Sequence, residues 1–148
     1  MKISSKVECG IISLVDICIY SNYDTVTVIK ISSRQNISVK YLEQIIQHLR
    51  HADIVRSVKG AKGGYVLTRP PEQITMRDVI NALDSNILCD VAYEGKDDSV
   101  IADALSECLW DKMTASMQEL AAKVTLRDVA DMYDRINAES KEEPMYYI

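Results

Sequence analysis

The chain has 148 residues, 47% of them hydrophobic and 26% charged, which suits one compact domain or one plus a short appendage and excludes wholesale disorder. Its longest apolar stretch near the N-terminus, residues 10–20, is too short to span a bilayer and contains Asp16, so we expect a cytoplasmic protein with no membrane partner. Residues 30–70 carry eight Lys or Arg and two acids, a net of +6, within a chain whose formal net charge is −5. This segregation favours a polyanion as partner, and a chance solvated face is the alternative.

The first predicted element is a helix over residues 4–20. Ser4 or Ser5 can cap it, and Glu8 lies in its first turn. At 100° per residue, apolar side chains cover most of its circumference. Only a narrow strip is polar, formed by Ser13, Asp16 and Tyr20. We therefore predict a helix that is buried over most of its girth.

Two shorter helices follow, one near residues 26–35 and one from a cap at Ser38 through about His51, joined by the polar turn NIS. The inner face of the second is predicted to consist of Leu42, Ile45, Ile46 and Leu49. Its outward positions are Lys40, Glu43, Gln44, Gln47 and His51. Two short helices joined by a tight polar turn are typical of a helix-turn-helix.

A β-hairpin comes next, because the β-prone runs IVRSV and GYVLT flank the glycine-rich connection KGAKG. The two prolines of RPPEQ then end the ribbon. A helix is predicted to begin after Thr75, with Asp78 completing a capping box.

The C-terminal part is predicted to be irregular at 85–99 and to form one long amphipathic helix from about 98 to 124. Its apolar stripe would consist of Leu105, Leu109, Met113, Met117, Leu120 and Val124. The segment TLRDVADMYD, residues 125–134, echoes TMRDVINALD fifty residues earlier. We interpret the echo as two similarly capped helices.

A helix-turn-helix followed by a cationic hairpin favours binding to double-stranded DNA. A helix can enter the major groove while a flexible basic ribbon lies along the adjacent backbone or minor groove. Gln44 can pair bidentately with adenine, and Glu43 can accept from cytosine. The predicted DNA-contacting residues are Ser38, Lys40, Tyr41, Glu43, Gln44, Arg50, Arg56, Lys59 and Lys62. An ordinary hairpin turn is the alternative for the ribbon.

The segment ISVKYLEQIIQHLRHADIVRSVKGAKGGYVLTRPPEQITMRDVINALD, the opening MKISSKVECGIISLVDI and Trp110 early in a long helix resemble the Rrf2 family of bacterial transcriptional regulators. The resemblance implies a homodimer of winged-helix domains that are joined by long crossed helices and bind a pseudo-palindromic operator. The expected function is repression of genes for sulfur, cysteine or iron–sulfur metabolism.

The predicted fold is therefore mainly α with a small β-hairpin: a winged helix-turn-helix plus a long dimerisation helix. We assign residues 1–84 to the DNA-binding domain, with helix 4–20 also packing on the dimerisation part. The remaining segments are a sensor or connector loop at 85–99, dimerisation helices at 100–136 and a flexible tail at 137–148.

A sensor is implied by the resemblance. Members with an iron–sulfur cluster usually carry three cysteines between the wing and the long helix, whereas this chain has only Cys89 and Cys108 there. The resemblance implies that these two thiolates hold half of a [2Fe–2S] cluster, with Glu8 of the partner subunit as a further ligand. The histidine that one redox-sensing member uses falls at Gln35, so the fourth ligand is unassigned. The alternatives are a thiol-based switch at the two cysteines, or no redox role.

The C-terminal residues suggest a second function. The C-terminal Tyr146, Tyr147 and Ile148 resemble the tail with which cysteine-regulating members dock into cysteine synthase, and a disordered end is the alternative.

An enzyme is not expected, because both histidines lie on the proposed recognition helix and no nucleophile motif is present. Cys9 and Cys18 lie on opposite sides of the first helix and are expected to pack, and the lack of a CxxC pair gives no support to a zinc site.

Overall fold

The computed structural model describes residues 2–22, 24–91 and 99–142. The helices are α1 (Ser5–Tyr20), α2 (Val28–Gln35), α3 (Val39–His51), α4 (Met76–Leu83), α5 (Val100–Leu105), α6 (Asp111–Lys123) and α7 (Leu126–Glu142). The strands are β1 (Val55–Val58) and β2 (Gly64–Leu67), with a 3-10 turn at Pro71–Gln73 and a π-helical turn at Ser106–Trp110. Within these ranges no helix is long and apolar enough to cross a bilayer.

Side-chain caps set the starts of the first three helices. The hydroxyls of Ser4, Thr27 and Ser38 accept hydrogen bonds from backbone N–H groups in the first turn of each helix. The predicted caps at Ser4 and Ser38 are confirmed. The second helix begins two residues later than predicted, because Val26 forms a β-bridge with Tyr65.

The core is built between α1 and α3. Leu14 and Ile17 of α1 are fully buried. So are the four inner residues predicted for the third helix, Leu42, Ile45, Ile46 and Leu49. Period-3.6 spacing therefore located this face correctly.

Two of the three polar residues on α1 are buried. Ser13 and Asp16 are 0% and 1% exposed, since the Ser13 hydroxyl donates to the Cys9 carbonyl at 2.7 Å and Asp16 is bound by two side chains of α2. Ser13 and Asp16 therefore face the interior, whereas Tyr20 is 45% exposed and Ile12 and Ile19 are half-buried. Polarity identified a buried contact here, and the periodic pattern alone could not show it.

The hairpin is antiparallel, with Val55 opposite Leu67 and Val58 opposite Gly64. Val26 extends it on the other edge, because Val26 and Tyr65 exchange backbone hydrogen bonds of 3.0 and 2.8 Å. A β-carbon on Gly64 would lie 2.8 Å from the Thr25 hydroxyl oxygen and 2.9 Å from the Val26 carbonyl oxygen. Glycine is thus required where the ribbon meets the segment ahead of α2.

Two capping boxes lie side by side at the starts of α4 and α7. The N–H groups of Asp78 and Asp128 donate to the hydroxyls of Thr75 and Thr125, both at 3.2 Å, and each carboxylate accepts from its threonine N–H. The two starts are also joined by backbone hydrogen bonds: Met76 to Val124 and Leu126 to Ile74. The prediction of two similarly capped helices is confirmed.

The long helix is interrupted. A π-helical turn at Ser106–Trp110 separates α5 from α6, so side chains ahead of the turn are rotated relative to those of the straight helix that the sequence predicted. At the other end, α7 continues to Glu142. Residues 137–142 are therefore helical rather than part of a flexible tail. Residues 143–148 lie outside the described residues, as do residues 92–98 of the connector.

Candidate nucleic-acid interface

The turn between α2 and α3 is held in one conformation by its own residues. Asn36 adopts the left-handed conformation, φ 55° and ψ 45°, and its N–H donates to the Ser32 carbonyl at 2.9 Å. Asparagine tolerates this region better than most residues. Ser38 then caps α3 by accepting from the Tyr41 N–H at 3.2 Å. The sequence NIS thus sets the angle at which α3 leaves the turn.

The outward face of α3 is open to solvent. Ser38, Lys40, Glu43, Gln44 and Arg50 are all exposed, because the buried stripe occupies the opposite side of the helix. Tyr41 is half-buried and packs against the core. These predicted contact residues are therefore accessible, and their contact with DNA stays a prediction.

The ribbon between β1 and β2 is anchored at its base and open at its tip. The Thr25 hydroxyl donates to the Lys62 carbonyl at 2.5 Å, and the Gly63 N–H donates to the Gly60 carbonyl at 2.9 Å. Gly60 has φ 111°, which L-residues rarely adopt. Lys59 and Lys62 project from this turn and are exposed.

A polar hollow lies between α3 and the ribbon. It is lined by Glu43, Gln47, Arg50, His51 and Tyr65. Sequence reasoning placed Gln47 and His51 on the outward face but gave them no role, and it did not single out Tyr65. Tyr65 is 14 positions beyond the end of α3 in the sequence, and only the fold brings it beside Gln47 and His51.

The cations of residues 30–70 divide into two groups. Arg34 is bound by Asp16, and Arg69 donates to the Asp53 carbonyl at 3.0 Å and contacts the Asp78 carboxylate at 3.4 Å. Six others are exposed and form no ion pair with any residue that the structure describes: Lys30, Lys40, Arg50, Arg56, Lys59 and Lys62. The positive charge on α3 and the ribbon is thus not neutralised by described acids of the same chain.

Asp16 joins α1 to α2 through a bidentate ion pair. Its two oxygens accept from Arg34 Nε at 2.9 Å and Nη2 at 2.7 Å, and Gln35 Nε2 donates at 2.8 Å. The Arg34 guanidinium also lies 4.0 Å from the Tyr20 ring centroid. The hydrogen bonds with Asp16 raise the pKa of Arg34 above its usual value, so this arginine stays charged.

The predicted cluster ligands are exposed but are not brought together in one chain. Glu8 is exposed in the first turn of α1, Cys89 follows α4 and Cys108 lies in the π-helical turn. The Cys89 thiol donates to the Ser85 carbonyl at 2.8 Å. In the part of the chain that the structure describes, no three His, Cys, Asp or Glu side chains are grouped to hold a metal ion. Gln35, the position suspected of supplying a fourth ligand, is bound to Asp16.

The other two cysteines differ from these in burial. Cys18 is buried and Cys9 is half-buried. Burial raises the pKa of the Cys18 thiol, which favours the protonated form. Both side chains contact the core, as the sequence predicted.

The C-terminal helices expose apolar side chains. Val100 and Ile101 of α5 are 80% and 82% exposed, and Leu109, Met113 and Leu120 range from 41% to 63%. An apolar groove between α1 and α7 is lined mainly by isoleucine, valine and tyrosine side chains. These side chains are part of the described apolar surface that the core does not cover.

These features define a winged helix-turn-helix transcriptional regulator: a helix pair, an anchored basic ribbon, and C-terminal helices that extend beyond them. The family model described as "Rrf2: Iron-dependent Transcriptional regulator" matches residues 3–132. The chain belongs to the Rrf2 family.

Individual relatives agree with this assignment. The regulator IscR of Sodalis glossinidius is 32% identical over 142 residues, covering 91% of this chain and 86% of the relative. The regulator CymR of Bacillus subtilis is 30% identical over 148 residues, covering all of both chains. The solved structure of that CymR, titled the global cysteine regulator of its organism, superimposes with a TM-score of 0.76 over 89% of this chain and 98% of the other.

Proposed function

We propose that this protein is a homodimeric, sequence-specific repressor that binds a pseudo-palindromic operator and controls cysteine, sulfur or iron–sulfur metabolism. The observation that carries the DNA-binding part is the set of exposed cations on α3 and the ribbon that no described acid neutralises. The metabolic part is supported by the names of the relatives.

In this proposal α3 enters the major groove with Ser38, Lys40 and Tyr41 leading, while Glu43 and Gln44 read base edges. Arg50, Arg56, Lys59 and Lys62 neutralise phosphates, which positions the protein and makes its affinity depend on salt. The hollow between α3 and the ribbon adds Gln47 and His51 as groups that can face the same stretch of DNA.

The proposed dimer is supported by the apolar side chains exposed along α5 and α6. A single chain leaves them in water, and pairing with a second copy would bury them. Two recognition helices related by a twofold axis would then read two half-sites about one helical turn apart.

Selection of duplexes from a random-sequence pool tests the DNA-binding proposal without knowledge of the genes. We expect the wild-type protein to enrich a pseudo-palindromic sequence and to bind it, in gel shifts at several salt concentrations, at least about a thousandfold more tightly than a shuffled duplex. Weak binding that never distinguishes sequences would contradict it.

The signal we propose is an iron–sulfur cluster, with Cys89 and Cys108 from one chain and Glu8 from its partner. Glu8 of a second copy would not group with the two cysteines of one chain, so the lack of a three-ligand group among the described residues is compatible with ligands divided between subunits. Such a cluster would supply redox chemistry. Protein purified without oxygen should then contain iron and absorb visible light, and Cys89→Ala and Cys108→Ala should abolish both properties. Colourless, iron-free wild-type protein would refute the proposal.

A cluster-free regulator is the second candidate, favoured by the end-to-end match with CymR of Bacillus subtilis. In this case the C-terminal Tyr146, Tyr147 and Ile148, which lie outside the described residues, would bind cysteine synthase. Deletion of residues 145–148 should abolish retention of the protein on immobilised cysteine synthase. Unchanged retention would remove this candidate.

A further inference from the structure

The carboxylate of Asp16 is the most completely enclosed charge that the structure describes. Its side chain is 0% exposed, and it accepts the three hydrogen bonds from Arg34 and Gln35 at 2.7 to 2.9 Å. Both oxygens are engaged, and the fork of Arg34 fixes the angle as well as the distance between the helices. We call Asp16, Arg34 and Gln35 the α1–α2 clamp.

The clamp holds α2 at the end that faces the recognition helix. Arg34 and Gln35 are the last two residues of α2, and Asn36 and Ser38, which set the turn into α3, follow immediately. α1 in turn packs on α3, α4 and α7. A rotation of the α2 end would therefore be transmitted directly to the start of α3, where the predicted base-reading side chains lie.

An ion pair with a fully buried carboxylate is a poor choice if only stability is needed. The Asp16 side chain is 0% exposed and the Arg34 side chain is 28% exposed, so the carboxylate loses its hydration and the guanidinium loses part of its own. This lost hydration offsets much of the attraction, and replacing such a pair by packed apolar side chains often leaves stability unchanged or higher. An apolar contact of similar size would hold α2 against α1 but would not fix its direction, since apolar contacts are not directional. The clamp is therefore better suited to fixing the direction of α2 relative to α1 than to holding the two helices together.

We propose that Asp16 is a positioning residue for operator discrimination, which sets the angle of α3 in the major groove through Arg34 and Gln35 and touches no DNA itself. This inference rests on the proposed DNA-binding function. The proposed role affects specific binding more than non-specific binding. Base contacts need the angle of α3 to be correct, whereas phosphate contacts made by the long lysine side chains of the ribbon tolerate a shift.

The deciding variant is Asp16→Leu combined with Arg34→Met, which removes both charges and retains apolar volume. Gln35 is exposed and can turn its amide to water. Thermal unfolding should be close to that of the wild type. Affinity for a shuffled duplex should be nearly unchanged, while affinity for the duplex selected by the wild type should fall by about tenfold or more.

Failure of the proposed function and failure of the positioning role give different results. A wild type that selects no duplex would refute the proposed function and leave nothing for the clamp to position. A double variant with the wild-type ratio of specific to shuffled affinity would overturn the positioning role alone. Parallel losses on both duplexes would also overturn it, because they would make Arg34 a phosphate contact.

A second variant, Arg34→Lys, tests the positioning role even if the double variant does not fold. Lysine retains the charge but cannot make the bidentate contact. We expect a several-fold lower ratio of specific to shuffled affinity, together with a lower unfolding temperature because the buried carboxylate loses a hydrogen bond. An unchanged ratio would overturn the proposal. Exposed Lys30 lies on the same helix and is absent from the clamp, so Lys30→Arg is the matched control.

Discussion

At the scale of single residues, the number of cations in a segment differs from the number that are exposed and unpaired in the described structure. The sequence predicted a positive segment from its eight cations, but Arg34 and Arg69 are held by Asp16 and Asp78, which lie outside that segment. A count along the chain cannot show such pairs, since the partners are brought together by the fold. The cations that remain exposed are those on α3, β1 and the ribbon, together with Lys30.

Lys59→Ala tests the phosphate contact assigned to the ribbon. Lys59 is exposed, so its removal should leave the fold intact and weaken binding to selected and shuffled duplexes alike. The slope of log affinity against log salt should become shallower by about 1. Gel shifts over a range of salt concentrations measure it. Lys141→Ala, an exposed lysine near the end of α7, is the control, and an equal effect there would contradict the assignment.

Gln44→Ala tests base reading by α3. The side chain is exposed on the outward face, and a bidentate contact with adenine contributes about 1–3 kcal/mol of discrimination. We expect the variant to lose preference at one base pair of each half-site while keeping its affinity for a shuffled duplex. Repeating the duplex selection with the variant measures this. Equal losses on specific and shuffled DNA would refute the role.

At the scale of elements, features that depend on neighbouring residues were predicted from the sequence, whereas contacts between distant residues were not. The caps at Ser4, Ser38 and Thr75 were readable because a cap needs only residues within one turn. The bridge between Val26 and Tyr65 was not readable, as its partners are distant in the sequence. The π-helical turn also escaped prediction, because the apolar spacing through residues 105–113 fits an ordinary helix.

The capping box of α4 predicts a dependence of stability on pH. Burial raises the pKa of Asp78, but hydrogen bonds from Thr75 and the charge of Arg69 outweigh it, so the pKa lies below its usual value. The stabilisation by the carboxylate is therefore complete above the unfolded pKa of about 4 and is lost as the pH falls through the lower folded pKa.

Urea unfolding between pH 6 and pH 2.5 measures this effect. The wild-type midpoint should fall more steeply below about pH 4 than that of Asp78→Asn, which should already be less stable at neutral pH. Glu139→Gln, which changes an exposed carboxylate on α7, should follow the wild type. Parallel curves for the wild type and Asp78→Asn would show that the box contributes no such dependence.

At the scale of the whole molecule, the sequence was sufficient for the fold class. Periodicity located the α3 face, and glycines located the hairpin. It was insufficient for the sensor, because the side chains suspected of binding a cluster are not grouped in one chain. The sequence also did not show that Asp16 of the polar strip pairs with Arg34, because the two residues are eighteen positions apart.

The proposed homodimer can be tested by a substitution on α6. Met113 is 47% exposed on α6 among other exposed apolar side chains, and a dimer formed along this helix would bury it. Met113→Glu should then place a charge from each copy in an apolar interface, where an unpaired charge is strongly unfavourable. The variant should be monomeric by analytical ultracentrifugation at micromolar concentration.

The same variant should bind the full operator no more tightly than a single half-site, since the second recognition helix is no longer tethered to the first. Ala115→Glu is the matched control, because two residues along an α-helix turn the side chain by about 200° and Ala115 is also exposed. It should stay dimeric. A dimeric Met113→Glu variant with wild-type operator affinity would show that α6 does not form the interface, and the surfaces on α1 and α7 would become the place to look for it.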